Sequence, residues 1–372
     1  MGKKAISFRN NVPEEFLRLF EPQGAFSHLV SLAKEPDNTL DLHFRVPQSG
    51  PPRATLYLGT SKVVDIHYYD RSEELKIEPQ KSKKIFKASN DAFRKEHPSA
   101  AAAWGQRQPI AEAIESWKEG NAGRDFVDQT LDAGAKDSRA KKFTDASHEG
   151  FIQASLAKRF EEFTVIDRES IISFRNEDEK KRRLKRIREP IANALRSLQE
   201  DGDRWTARKR VGDQVASFGP KNPSGFGGKL DALAVDNKGR ILTIEVKGGY
   251  DTAGMGWTPA QVAVYKRIIE EWIEADPQAA REALAASLAQ RRAIGMAGNQ
   301  TVPVKGALVV VPVIVIGEIT KQGSADTANE RIEIVRKALK ETGEPLAGLE
   351  IKQIHHGLPE DVDPKTGLVA IK

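Results

Sequence analysis

The chain has 372 residues, with 58 lysines and arginines against 53 aspartates and glutamates, no cysteine, and 39% hydrophobic residues. This composition excludes an intrinsically disordered chain, and the lack of cysteine excludes disulfides, thiol catalysis and thiolate zinc sites. The longest apolar run, residues 307–316, is about half as long as a bilayer-spanning helix. Because no apolar stretch follows the basic N-terminus, we expect no signal peptide, no membrane association and a cytoplasmic protein.

Residues 1–120 predict a small α+β domain. The stretch 25–80 is rich in β-branched and aromatic residues, and it predicts strands at 40–46, 54–58 and 63–69. Apolar residues at helical spacing predict helices over 88–120. The polar stretch 121–145 has the composition of a linker or an irregular connection. Whether this domain serves recognition or regulation stays open.

Residues 146–202 predict a mostly helical segment, interrupted by a short β-like stretch at 163–166. Seven of the nine residues 180–188 are basic. Such a cluster is typical of contact with phosphate groups. The alternative is a solvated helix face, because three acidic residues directly precede the cluster and can pair with it at helical spacing. The cluster consists of Lys180, Lys181, Arg182, Arg183, Lys185, Arg186 and Arg188.

The remaining residues predict an α/β sandwich built around a mixed sheet. Thr258 is the predicted N-cap of a helix whose first residue is Pro259, a position that proline favours. The predicted elements after Gly202 are, in order, strands at 206–211 and 215–218, a loop at 219–228, strands at 229–235 and 240–247, helices at 259–273 and 277–293, and strands at 307–316 and 349–354.

The two strong strands bring charged side chains to one end of a predicted hairpin. Residues 237–239 fit a three-residue loop, with Gly239 in the left-handed conformation that such loops require. In that register Asp231 lies opposite Glu245, and Lys247 lies on the same face two residues further on. The other strand positions are apolar, and buried charges are costly unless they are paired or bind a metal.

These side chains match metal-assisted hydrolysis of a phosphodiester bond. Asp231, Glu245, the backbone carbonyl of Val246 and water form an oxygen ligand set suited to Mg²⁺, for which Mn²⁺ can substitute. A metal held there polarises the phosphate and lowers the pKa of bound water. Lys247 is expected to orient that water, to help deprotonate it, or to bind the phosphate as a point charge.

Asp231, followed after a strand-length gap by Glu245-Val246-Lys247, resembles the signature of the PD-(D/E)XK nuclease superfamily. The resemblance covers about residues 185–316, and Leu230 stands where the family loosely keeps a proline. It implies a restriction-endonuclease-like fold, a mixed sheet flanked by helices, in a nuclease domain over 185–372 beside the separate N-terminal α+β domain. It also implies Mg²⁺-dependent cleavage of DNA, in a prokaryotic defence, restriction or repair role.

Further positions extend the resemblance. Glu189 matches an acidic residue that many members carry on the helix before the sheet, which implies a third metal ligand, although Glu200 is a rival. Gln261 and Tyr265 resemble the Gln-x-x-x-Tyr element of the exonuclease-like branches. Residues four apart share one helix face, so both are expected to position the substrate. Lys229 joins the basic cluster as an expected contact to the DNA backbone.

An acidic residue followed two positions later by lysine is not specific by itself. The triplet Glu350-Ile351-Lys352 also lies on a predicted strand, but it lacks an upstream aspartate on a paired strand and serves as an internal comparison. Two other functions stay open: a catalytically inactive module that holds nucleic acid or a protein partner, and a metal-dependent RNase. Endonuclease or exonuclease action, and a homodimer or a separate partner protein, are also open. No ATPase signature is present, so no nucleotide cofactor is expected.

Overall fold

The protein is described from a computed structural model. Its chain divides into two compact units. We call Arg9–Phe160 with Ala286–Gly298 the N-terminal unit, and Met1–Phe8 with Glu161–Ala285 and Asn299–Lys372 the C-terminal unit. The structure describes residues 6–8, 11–35, 39–47, 49–80, 84–136, 148–158, 162–170, 172–200, 230–249, 252–319, 322–341, 349–354 and 368–370.

The described residues form the following strands and α-helices. The strands are β1 (Ile6–Ser7), β2 (Leu40–Arg45), β3 (Arg53–Leu58), β4 (Ser61–Tyr69), β5 (Glu74–Pro79), β6 (Gln108–Pro109), β7 (Phe163–Ser170), β8 (Ser173–Phe174), β9 (Leu230–Asp236), β10 (Ile241–Lys247), β11 (Val310–Ile316), β12 (Glu350–Ile354) and β13 (Leu368–Ala370). The helices are α1 (Glu14–Arg18), α2 (Ser27–Lys34), α3 (Lys84–Glu96), α4 (Pro98–Ala103), α5 (Ile110–Lys118), α6 (Ala122–Lys136), α7 (Glu149–Leu156), α8 (Glu177–Glu200), α9 (Thr252–Ala275), α10 (Pro277–Ala293) and α11 (Gln322–Glu341).

The N-terminal unit is built on an antiparallel sheet with the strand order β2-β3-β4-β5-β6. The predicted strands at 40–46, 54–58 and 63–69 are confirmed as β2, β3 and β4. One face of the sheet is apolar and packs with Phe16 and Trp117 from the helices in a shared core. The β-rich prediction for 25–80 is wrong at α2, where Leu29, Val30 and Ala33 recur at helical spacing and are buried.

The predicted irregular connection at 121–145 is instead helical over its first part. Residues 122–136 form α6, and Phe126 and Val127 are buried in the core of the N-terminal unit. The polar composition was misleading because a few apolar side chains on one face are enough to hold an amphipathic helix. The rest of that stretch, residues 137–147, lies outside the described residues.

The C-terminal unit contains a mixed sheet with the strand order β13-β12-β11-β10-β9-β7. β9 and β10 form the predicted antiparallel hairpin, while β11 runs parallel to β10. Parallel neighbours need a long crossover, and the chain between them includes α9, which packs on both strands. The α/β architecture with a mixed sheet is therefore confirmed. The predicted strands at 206–211 and 215–218 and the loop at 219–228 lie outside the described residues.

The helix after the hairpin begins earlier than the sequence predicts. It covers Thr252–Ala275, so Pro259 lies inside it and Thr258 is not its N-cap. A helical proline leaves the carbonyl four residues before it without its usual N–H donor. Here the hydroxyl of Thr258 donates to the carbonyl oxygen of Met255 at 2.8 Å. The side chain that suggested a helix start thus satisfies the carbonyl that the proline leaves open.

Candidate active site

The β9–β10 hairpin has the predicted register. Ile244 pairs with Ala232, so the next position along the ladder places Glu245 opposite Asp231. Gly239 has φ of +73° in the connecting loop, as the three-residue loop requires. An adjacent side chain closes the loop: Asp236 Oδ1 accepts from the backbone N–H groups of Lys238 and Arg240 at 2.9 and 2.8 Å. This local hydrogen bonding fixes the pairing that carries the charged residues.

The structure brings Asp231, Glu245 and Lys247 into contact. Asp231 Oδ2 accepts from the backbone N–H of Val246 at 2.8 Å, and Lys247 Nζ donates to Glu245 Oε1 at 2.8 Å. A side-chain hydrogen bond also joins Asp231 to Glu245. Glu245 is buried, with 3% of its surface exposed. We call Asp231 and Glu245 the carboxylate pair.

Burial dominates the electrostatics of the carboxylate pair. Asp231 is partly exposed as a residue, but its carboxyl group is desolvated, and this raises its pKa above the ordinary value. The positive charge of Lys247, the Val246 N–H and the charge of Arg168 oppose that rise. Two carboxyl groups in contact favour sharing a proton until a cation replaces it.

The carboxylate pair offers a cation two acidic side chains as ligands. Among the described residues, no group of three or more His, Cys, Asp or Glu side chains could hold a metal ion. The protein's donors there would therefore be two carboxylates and a backbone carbonyl, with water completing the set. Mg²⁺ is commonly held this way, by one or two carboxylates while it keeps several waters.

The comparison triplet on β12 behaves differently. Glu350 lies on a neighbouring strand of the same sheet and forms an ion pair with Arg240 at 2.9 Å. Its partner in the β11–β12 ladder is Val313, an apolar residue, rather than a second acid. The same sequence pattern thus gives a structural ion pair on β12 and a carboxylate pair on the hairpin.

Gln261 and Tyr265 lie on α9, which covers the face of the sheet that carries the carboxylate pair. Glu245 pairs with Ile314 across the β10–β11 ladder, and Ile314 packs against Val262 of α9. Gln261 is partly exposed and Tyr265 is buried. The structure therefore puts both on the predicted helix, and it places Tyr265 near Arg188 of α8.

Glu189 is not brought to the carboxylate pair. It lies on α8, is exposed, and lines a groove of about 570 Å³ on that helix. Its rival Glu200 is the last residue of α8. The described lining of the groove is Arg182, Lys185, Arg186, Glu189, Pro190 and Asn193. A third metal ligand from α8 is thus a prediction that this arrangement does not support.

Much of the predicted basic cluster on α8 is paired with acids. Arg183 donates to Glu179 at 3.0 Å and to Glu271 of α9 at 2.9 Å, and Arg186 also pairs with Glu271. The solvated-face alternative is thus correct in part, because the preceding acids take several of the cations. Further pairs along the helix are Lys180 with Glu177 at 3.4 Å and Arg182 with Glu179 at 3.8 Å.

The other predicted cations differ in exposure. Arg188 is buried, and this burial lowers its pKa, against the influence of Tyr265. Lys181 and Lys185 are exposed, as a phosphate contact requires. Lys229 lies outside the described residues.

Two charged residues that act on the carboxylate pair or on the basic cluster were not predicted from the sequence. Arg168 on β7 is 1% exposed, and its charge acts on Asp231. Glu271 on α9 holds two arginines of α8. The pairing of β7 with β9 and the packing of α8 on α9 join distant parts of the chain, so no local pattern could have indicated either residue.

The fold and the site together define an α/β protein of two units, one of which carries a buried carboxylate pair and a lysine on a hairpin of a mixed sheet. Comparisons of the chain with protein-family models, with curated proteins and with solved structures found no match. Within the described part of the chain, no helix is long and apolar enough to cross a membrane.

Proposed function

We propose that the C-terminal unit is a metal-dependent nuclease that hydrolyses phosphodiester bonds of DNA. The observation that carries the proposal is the contact between Asp231 and Glu245, with the ammonium of Lys247 2.8 Å from Glu245. A buried pair of acids with one adjacent lysine lowers the stability of the fold, because apolar residues at the same strand positions would be more favourable. Binding of a divalent cation and a phosphate offsets that cost.

Asp231 and Glu245 would hold Mg²⁺ or Mn²⁺, together with the backbone carbonyl of Val246. When bound, the ion would supply Lewis-acid polarisation of the phosphate and a lowered pKa for water. The Val246 N–H donates to Asp231 Oδ2 and so holds this carboxylate in place. Lys247, which already contacts Glu245, would orient the attacking water or neutralise a phosphate oxygen.

Gln261 and Tyr265 would position the substrate from α9, and Lys181 and Lys185 would contact its backbone from α8. Glu189 shares the α8 groove with three basic side chains. The resemblance to PD-(D/E)XK nucleases, and with it a defence, restriction or repair role, remains part of this proposal.

Cleavage by purified protein tests the proposal. Plasmid, linear duplex, single-stranded DNA and RNA would each be incubated with Mg²⁺, Mn²⁺ or EDTA. Glu245→Gln and Lys247→Ala are expected to lower the rate of cleavage by about 100-fold or more, in line with the loss of a catalytic group. Glu350→Gln is the matched control, because it removes an acid of the same triplet pattern from a neighbouring strand, and it should cleave like the wild type.

Several outcomes would contradict the proposal. If no substrate is cut with either metal, the unit is a binding module rather than an enzyme. If RNA alone is cut, the enzyme is an RNase. Cleavage that persists in Glu245→Gln and Lys247→Ala would place the active site elsewhere in the chain.

A further inference from the structure

One face of the sheet in the N-terminal unit carries a line of basic side chains. The strand register pairs Arg45 with Arg53, Arg53 with His67, and His67 with Lys76. Directly paired residues in an antiparallel sheet project to the same face. The four side chains therefore form a single line across β2, β3, β4 and β5, and we call them the basic row.

Acids lie beside part of the basic row. Lys76 pairs with Glu78 at 3.0 Å, and the same carboxylate lies 3.2 Å from His67. Arg53 is partly exposed, yet its Nε is buried and has no hydrogen-bond partner among the described residues. The arginine in the middle of the row thus has an unmet hydrogen-bonding group and a like charge on the paired strand.

This arrangement is unfavourable without a ligand. Like charges directly opposite each other destabilise paired strands, and a buried donor without an acceptor costs further free energy. Burial lowers the pKa of His67; the charges of Asp65 and Glu78 oppose this fall, while those of Arg53 and Lys76 act in the same direction as burial. A neutral histidine relieves the repulsion only in part, because the two arginines and the lysine remain charged. An anion bound along the row would remove the cost.

A further cation lies at the same end of the sheet face. The guanidinium carbon of Arg107 lies 3.9 Å from the ring centroid of Tyr69, and Tyr69 is two residues beyond His67 and thus on the same face. Toward the other end, Asp65 accepts from Thr55 and Asp41 contacts His43, so these acids already have partners. Acids also lie on this face, with Glu74 opposite Tyr69 and Glu78 beside Lys76, so the clearest unmet group of the basic row is the buried Nε of Arg53.

We propose that the basic row binds the phosphate groups of a nucleic-acid strand lying across the strands of the sheet. Neighbouring strands are about 4.8 Å apart, so the row from Arg45 to Lys76 is about 14 Å long. One strand of B-DNA carries about four phosphates over that length. Arginine suits this ligand, because its planar donors can hold two phosphate oxygens at once. The proposal rests on residues of the N-terminal unit alone and does not depend on the nuclease proposal.

Binding by the full chain tests the basic row. The protein would carry Lys247→Ala and be kept in EDTA, so that no substrate is cut during the measurement. Fluorescence anisotropy with labelled single-stranded DNA, duplex DNA and RNA, over a series of salt concentrations, would give affinities and salt slopes. Arg53→Gln with Lys76→Gln is the test variant. Lys118→Gln with Arg124→Gln is the control, since it removes the same charge from exposed helix positions of the same unit.

The test variant is expected to bind at least one of these ligands about tenfold more weakly, with a salt slope lower by about 1.4–1.8, the value for two lost phosphate contacts. The control variant should have the same salt slope as the Lys247→Ala protein without further substitutions. Arg53→Lys keeps the charge but not the planar donors, so it should retain the slope and lose part of the affinity; it also serves if the double variant fails to fold. The ligand that shows the largest difference identifies the strand type.

Equal affinity and slope in the test variant and its control would overturn the proposal. So would a loss of thermal stability in Arg53→Lys with unchanged binding, which would make Arg53 a structural residue. If the wild type cleaves nucleic acid but the substitutions in the basic row do not change binding, the basic-row proposal is overturned and the nuclease proposal is not. Binding through the row without any cleavage would support it and contradict the nuclease.

Discussion

At the scale of single residues, Asp231 is the group whose charge state the fold controls most directly. Burial removes its carboxyl group from water, and this raises its pKa above the ordinary value. A raised pKa means that ionisation of Asp231 opposes folding. Its contribution to stability is therefore complete below the unfolded-state pKa of about 3.9 and is lost as the pH rises through the higher folded-state pKa.

Asp231→Asn should consequently be more stable than the wild type at neutral pH without metal, because asparagine cannot ionise. The difference should disappear as the pH falls toward 4, and thermal unfolding midpoints across that range would measure it. For a unit of this size, each kcal/mol gained corresponds to a rise of about 2–4 °C in the midpoint. Asp128→Asn on the surface of α6 is the control, with an expected change of at most about 0.5 kcal/mol at any pH.

The same thermal unfolding measurement can be repeated with Mg²⁺ present. A ligand that binds only the folded state raises the midpoint, so Mg²⁺ should stabilise the wild type and leave Asp231→Asn nearly unaffected. Equal stabilisation of both proteins would show that the ion binds somewhere other than the carboxylate pair. This readout needs no cleavage and so separates metal binding from catalysis.

At the scale of elements, α9 shows how a side chain can stabilise a helix that contains an internal proline. Pro259 has no N–H for the carbonyl of Met255, and the hydroxyl of Thr258 donates to it instead. Both Met255 and Thr258 are fully buried. A carbonyl left without a donor at this position would lie out of reach of water.

Thr258→Val should therefore lower the free energy of unfolding by about 1–3 kcal/mol, the cost of an unsatisfied buried polar group. The cost should shrink in a Pro259→Ala background, because alanine restores the N–H donor for Met255. Denaturant unfolding of the two single variants and the double variant gives the coupling free energy. Strictly additive effects would mean that the hydroxyl does not replace the missing donor.

At the scale of the whole molecule, the N-terminal unit is assembled from two distant parts of the chain. Ile294 and Met296 belong to its core, although they follow the hairpin and α9 in sequence. The same segment contributes hydrogen bonds: Gln290 Oε1 accepts from the backbone N–H of Val12 at 2.8 Å, and Arg291 donates to the carbonyl of Leu42 at 2.6 Å. The segment thus completes both the core and the edge of the sheet.

Ile294→Ala is expected to lower the free energy of unfolding by about 2–5 kcal/mol, as for other buried isoleucines. Faster amide exchange in β2 and β3 would show that the effect reaches the N-terminal sheet. Val304→Ala is the matched control, because this valine is 86% exposed and should change stability by no more than about 0.5 kcal/mol. Unchanged exchange in β2 and β3 would contradict the role assigned to residues 286–298.

The hairpin shows how far the sequence could predict the candidate site. A loop of three residues with glycine at its left-handed position defines the pairing of the two strands it joins, so the opposition of Asp231 and Glu245 follows from a few adjacent residues. Glu189 could not be placed in the same way. Its position relative to the sheet depends on how α8 packs, and α8 contacts α9 and α11.

The helices likewise include features that the sequence predicts and features that depend on tertiary contacts. The bounds of α10 are as predicted, because an alanine-rich stretch between Pro277 and Ala293 needs no tertiary contact to favour a helix. The start of α9 was wrong because Thr258 and Pro259 are favourable at a helix start, and the hydroxyl contact that lets them lie inside a helix is visible only in the structure.

The sequence by itself determined the strands β2–β4 and β9–β12, most of the helices and the register of the site hairpin, because these depend on residues close together in the chain. Only the tertiary structure decided which charges meet. It placed Arg168 near Asp231 and paired Arg183 and Arg186 with Glu271. It also aligned the basic row across four strands. These contacts join side chains that are far apart in the sequence, so no helical or strand periodicity indicates them. Their interaction energies depend on burial and on nearby charges, which exist only in the folded chain.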